Sequence, residues 1–388
     1  MGASQHIQIT PNTFLQLGLL LSANTKPTDI DHDLMITLQT EELYLPIIEL
    51  SNCYWMTSAL CYRLKKLRIF PQLPLVLQQY LNEVSSLYRQ RNIDIKKEAK
   101  HVCALLDEAG IEQVLLKGGA SLFNGTYPSP AMRYMCDIDI LVPEEKQQQA
   151  FELLKANGYQ ADESPFAIHS ANHHHAPSLC LPDSMCRVEI HKQALKFPAS
   201  RVLNDIDIWE EGDPLPLGEG VTVKQLNATQ QIILCIAHSE ISHSGFAEKV
   251  LDIRQFYHLL CLIHHYQENI DWRLVEKHFQ LANVENVLHA ALQGLSLLFN
   301  EVTPITRNDA KSRQQIEQRM NCFCNQSKIR KYWLAIKRVL SGYSAKQIEF
   351  TYDVKGMFGV SKGRFKHFYR HCKLIINREY RENFWASI

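Results

Sequence analysis

The stretch "RYMCDIDILVP", residues 133–143, decides how the rest of the chain is read. Asp137 and Asp139 sit two apart in an otherwise apolar run, Ile138-Asp139-Ile140-Leu141-Val142. A strand of that composition is expected to be buried. Burying a carboxylate without a partner costs several kcal/mol, so two of them need a reason. In a strand, residues i and i+2 share a face. Both carboxylates therefore emerge together while Ile138 and Ile140 face the other way. Like charges that close repel unless a cation lies between them or one is protonated. Mg²⁺ (or Mn²⁺), ions that prefer oxygen, would answer the repulsion. A solvated edge strand is the alternative.

The surroundings favour chemistry. "IEQVLL" (111–116) is a short apolar strand that enters Lys117-Gly118-Gly119 and then a small-residue helix start through Ser121. Paired glycines let backbone N–H groups approach phosphate. Lys117 and Arg133 supply cations on either side, suited to phosphate charge. Downstream, Pro143-Glu144-Glu145 opens a helix that closes at Asn157-Gly158. "HHHAPSLCLPDSMCRVEIHKQ" (173–193) then reads as a hairpin turning at Pro182-Asp183-Ser184. Its second strand carries Glu189 and His191 on one face. Each signal also has a plain structural reading: a tight turn, surface cations, a solvated hairpin face.

Around this core the texture is helical. Residues 11–110 show three-four apolar spacing that stops at Gly110, and the pattern returns from about 225 to 345. The expected fold class is α+β, with a small mixed β-sheet core flanked by N-terminal and C-terminal helical regions. The expected divisions are a helical region 1–110, a core 111–220, a helical domain 221–345 and a basic, aromatic tail 346–388.

Together, "LLKGGASL", "R…DIDILV", "HHH-A-P", "VEIH" and a helical "LDI" resemble a bacterial family of uncharacterised nucleotidyltransferases, a branch of the polymerase-β-like superfamily. The resemblance spans about 90–260. It implies that Asp137, Asp139 and Glu189 bind metal and catalyse. It also implies that Gly118 and Gly119 form a triphosphate turn, and a two-metal attack of a hydroxyl on an NTP's α-phosphorus with loss of pyrophosphate. Lys117, Ser121 and Arg133 join the expected nucleotide contacts. Lys249 joins them from "EKVLDIRQF" (248–256), read as one helix that places Lys249 and Asp252 on the same face. His175, His191 and Asp252 are expected in the pocket, and His238 in the core of an apolar helix. The donor is expected to be ATP. The acceptor is an unidentified hydroxyl on a small molecule, sugar, protein or RNA end.

Two other classes stay open: a degenerate nucleotide- or partner-binding module, and a metallohydrolase built on His173, His175 and His191. Composition adds limits. Lys+Arg and Asp+Glu are 41 each, so whole-chain charge selects no partner. The tail from Asp353 interleaves Lys and Arg with Phe and Tyr, which admits nucleic acid but is more simply a solvated helix. No stretch is long and apolar enough for a membrane span, and MGASQHIQIT lacks the features of a secretory signal. Eleven cysteines without a repeat spacing suggest reduced thiols and a cytoplasmic setting.

Overall fold

The computed structural model describes residues 7–161, 174–203, 206–307, 309–325, 343–352 and 354–376. It is a mixed α+β fold, mostly helical, around one mixed sheet. The seven strands are β1 (Val114–Leu115), β2 (Asp137–Leu141), β3 (Gln160–Ala161), β4 (Leu179–Cys180), β5 (Arg187–His191), β6 (Asp213–Gly218) and β7 (Val221–Gln225). Their order across the sheet is β3-β4-β5-β2-β1-β7-β6. The pairs β2–β5 and β1–β7 are parallel, and the others are antiparallel.

The β2–β5 register places Ile138 beside Val188, Asp139 beside Glu189 and Ile140 beside Ile190. Alternation then sorts the side chains into two sets. Ile138, Ile140, Val188 and Ile190 are fully buried in a core with Ile95, Ala99, Val102 and Leu106 of the Leu75–Glu108 helix. Ala150 and Leu154 of the Gln147–Ala156 helix complete that core. Each such aliphatic side chain contributes about 1.5–3 kcal/mol by leaving water. This burial holds the strand in place and turns the carboxylates to the opposite face.

A second, larger core lies on the acid-bearing side. It joins N-terminal helices to C-terminal ones: Phe14, Leu17 and Leu21 pack with Leu295, Leu298, Phe299, Ile316 and Met320. The contact is close. A Cβ at Gly18 would stand 2.0 Å from the Leu298 carbonyl oxygen, and Ser22 Oγ donates to the Phe299 carbonyl at 2.6 Å. The 34-residue Leu75–Glu108 helix serves both cores, giving Leu77 and Leu81 to one and Ile95 through Leu106 to the other.

Three sequence expectations differ from this arrangement. Residues 1–110 and 221–345 read as separate helical regions, but their side chains interleave in one core. The boundary at 220 falls in the turn of a hairpin, so the sheet runs on through β7 to Gln225. Pro214 and Pro216 sit in β6, the last strand in the sheet order, where a missing N–H costs least. Finally, 248–256 is not one helix. Lys249 is left-handed at φ 54° after a short Gly245–Glu248 turn, and Asp252 caps the next helix, Ile253–Tyr266. Lys249 and Asp252 therefore do not share a helical face.

The basic, aromatic segment includes a Gly356–Ile376 helix. Met357, Phe358, Phe365, Phe368 and Tyr369 on it are exposed. Among the described residues, no helix is long and apolar enough to cross a membrane.

Candidate active site

The acid face of β2 and β5 opens into a cleft of about 590 Å³. Asp137, Asp139 and Glu189 line the sheet side, with Gly118, Arg133 and His175 beside them. Lys196, His238, Asp252 and Arg254 come from the helical side. Across the cleft the carboxylates face Lys196 and Arg254, with Asp252 paired to Arg254 at 3.5 Å and Glu240 paired to Arg319 at 2.7 Å on the same wall.

Asp139 is buried and strongly compensated. Lys117 Nζ lies 2.6 Å from its Oδ1, and His191 Nε2 lies 2.9 Å from the same oxygen. Burial alone would raise its pKa, but these neighbours hold the carboxyl well below the usual range. Asp137 behaves oppositely. Burial, then the charge of Asp139, push it up to about 6, with Lys117 only partly opposing. One of the two aspartates is thus firmly ionised and its neighbour keeps a proton more readily, as expected for carboxylates crowded on one strand face.

Glu189 accepts a hydrogen bond from Ser178 Oγ at 3.0 Å. Its Oε2 lies 3.4 Å from His191 Nε2 and 3.6 Å from His175 Nε2. Burial disfavours its charge, but the flanking imidazoles outweigh both burial and Asp139, so its pKa is lowered. Like-charge crowding alone would suggest the reverse. The histidines that supply the difference are brought in by the β5 register and an isolated bridge between His175 and His191.

The other sequence candidates divide. Gly118 faces the cleft side: a Cβ there would meet Met135 Sδ at 2.6 Å and Arg133 Nε at 2.8 Å. Gly119 faces inward, where a Cβ would meet Leu115 Cδ1 at 2.9 Å. Ser121 is buried, with Oγ donating to the Lys117 carbonyl at 3.1 Å, and does not line the cleft. Arg133 donates through Nη1 to Tyr127 Oη at 3.2 Å, while its buried Nε has no hydrogen-bond partner among the described residues. Lys249 is exposed, bonds Gln318 Oε1 at 2.8 Å and stands outside the cleft. Asp252 borders the cleft while accepting from the Arg254 N–H at 3.1 Å.

His238 is on the cleft wall, its Nε2 3.1 Å from His243 Nε2, where burial and then Lys117 hold its pKa well below the usual value. His173 lies outside the described residues. Sequence reasoning passed over Lys196 and Arg254. Arg254 carried a signal, standing two residues after Asp252, whereas Lys196 sits in a segment without periodicity.

Asp139, Glu189 and His191 each offer one donor atom, and these atoms all lie within 4.8 Å of one another. Two carboxylates and a buried imidazole nitrogen fit a divalent cation. The model of a family described as uncharacterised nucleotidyltransferase matches residues 50–300. The chain belongs to that family, and is an enzyme that transfers phosphorus-containing groups. No curated protein and no solved structure matches it.

Proposed function

We propose that the enzyme moves a nucleoside monophosphate, AMP from ATP, onto a hydroxyl with release of pyrophosphate. The observation that carries this reading is the side-by-side register of Asp139 and Glu189, with Asp137 one pleat away, facing a cleft that Arg133, Lys196 and Arg254 also line. Asp137, Asp139 and Glu189 would hold divalent cation, Mg²⁺ or Mn²⁺. When bound it would neutralise charge on the reacting phosphate. Arg133, Lys196 and Arg254 would bind the β- and γ-phosphates, and Gly118 would keep the floor low enough for them to approach. The acceptor oxygen forms a bond to the α-phosphorus as the bond to the bridging oxygen breaks, and pyrophosphate takes that electron pair. Glu189 is the proposed acceptor of the hydroxyl proton. It is ionised at neutral pH, and because its pKa is lowered rather than raised, its part in the reaction rests on position more than on basicity. Positioning and electrostatics supply most of the acceleration.

The test is incubation with each α-labelled NTP, divalent cation and a set of acceptors or a cell lysate, reading pyrophosphate release and labelled product. Transfer abolished by Asp137→Asn supports the reading. Tight NTP binding without turnover under every condition would replace it with a binding module on the same fold.

A further inference from the structure

His191 has no exposed surface. Its Nε2 faces both carboxylates, 2.9 Å from Asp139 Oδ1 and 3.4 Å from Glu189 Oε2, while Nδ1 has no hydrogen-bond partner among the described residues. A ring nitrogen buried so completely and left without a partner costs about 1–3 kcal/mol. Buried polar groups in that state call for an explanation. The ring is also held firmly. His191 ends β5, pairs in register with Leu141 and bridges to His175, so the sheet fixes the backbone that carries it. It stands behind the carboxylates rather than on the cleft wall, a poor place to meet substrate. What it can meet is a cation seated between β2 and β5.

We propose that His191 is a direct metal ligand, and that with Asp139 and Glu189 it makes a mixed nitrogen–oxygen site that prefers a divalent transition ion to Mg²⁺. The chemistry of the donors sets the preference. Mg²⁺ favours oxygen ligands in a near-ideal octahedron and gives up its waters reluctantly. Imidazole suits the borderline ions of the first transition row. An all-carboxylate set would leave the choice of ion to availability; one buried imidazole biases it. The proposal rests on the functional reading above only for the presence of a cation at these strands.

The experiment uses the full chain, stripped with EDTA and free of nucleotide. Mn²⁺ is the probe, with binding followed by loss of the free-ion EPR signal, Mg²⁺ as competitor, and pulsed EPR reading nitrogen coupling to the bound ion. The expected result is Mn²⁺ held at least about tenfold tighter than Mg²⁺, with a histidine nitrogen coupled to it. His191→Gln should abolish the coupling and weaken Mn²⁺ by at least about 10–100-fold, the range for losing even an outer partner of a metal ligand. His174→Gln, His175→Gln, His238→Gln and His243→Gln, the other cleft histidines, should each leave the coupling in place, which assigns it to His191 even if His191→Gln fails to fold. Bound Mn²⁺ without nitrogen coupling, coupling that survives in folded His191→Gln, or Mg²⁺ bound as tightly as Mn²⁺ would each overturn the proposal. Turnover is not part of the readout, so failure of nucleotidyl transfer and failure of this site are separate results.

Discussion

Lys117 Nζ lies 2.6 Å from Asp139 Oδ1, with little of either side chain exposed. In the absence of metal the ammonium occupies one flank of the acid cluster. Removing one member of a buried pair strands the other, at a cost of about 3–5 kcal/mol. Asp139→Asn should therefore be less stable than the parent by roughly that amount when measured in EDTA, although it removes a crowded negative charge. Urea melts decide this. An Asp139→Asn variant as stable as the parent would show that the ion pair is not what holds this wall of the cleft.

Asp137→Asn should do the opposite. The folded pKa of Asp137 is raised to about 6 from an ordinary 3.8. Between those values the native state binds more protons than the unfolded one, so this group makes stability fall as pH rises. Its ionised form is a liability above the folded pKa and neutral in effect below the unfolded one. In EDTA, Asp137→Asn should exceed the parent in stability most at pH 8, and the gap should narrow as pH falls through 6 toward 4. Melting curves across that range test it. A gap independent of pH would mean that Asp137 is not the group responsible.

Glu189→Gln keeps shape and can still pair with Ser178, but it cannot accept a proton or coordinate as a carboxylate does. Transfer should drop by at least ~10²-fold, the lower end for removing a general base. Nucleotide affinity should be largely kept. Single-turnover rates beside equilibrium binding separate the two. Loss of binding with an unchanged rate on bound nucleotide would move Glu189 out of the chemistry.

The paired glycines should respond differently. Gly119→Val drives a branched side chain into Leu115, and overpacking of that kind costs about 1–3 kcal/mol. Gly118→Ala instead presses on Met135 and Arg133 at the cleft, so its main effect should be weaker nucleotide binding. Calorimetric titration and thermal melts on both variants check this. Equal loss of affinity in both would mean that the turn acts as one unit.

Lys196→Met should weaken NTP binding by about 10–100-fold, the equivalent of one charged hydrogen bond at 1.5–3 kcal/mol. Among the described residues no carboxylate pairs with Lys196, and burial together with Lys117 lowers its pKa. Stability should therefore hold or rise. A variant that melts lower with unchanged KM for NTP would assign Lys196 to the fold.

How much of this was legible can be argued from single positions. Asp137 and Asp139 were legible because the strand period is two and the intervening Ile138 must go inward. The register that sets Glu189 beside Asp139 was not, since nothing local to either strand fixes which strands become neighbours. Gly118 and Gly119 read alike in sequence, and only the packing of Leu115 separates them. Lys249 and Asp252 looked like one helical face because the apolar spacing continued through them. The break comes from a left-handed residue that spacing cannot reveal. The β6–β7 hairpin carried a usable signal, Leu215, Leu217, Val221 and Val223 alternating around Gly-Glu-Gly, masked by two prolines that an end strand tolerates.

Arg319 has no exposed surface and grips Glu240 through both terminal nitrogens, at 2.7 and 3.0 Å, while its Nε donates to the Val250 carbonyl at 2.9 Å. Glu240 and Val250 border the cleft, yet Arg319 lies beyond residue 300, where the match to the family model ends. Phe14, at the other end, lies before residue 50 and packs into the same helical core. The stretch matched by the family model and the extent of the packed helical core therefore do not coincide in this chain. A fragment trimmed to 50–300 would retain every carboxylate and lose the clasp that shapes the wall opposite them.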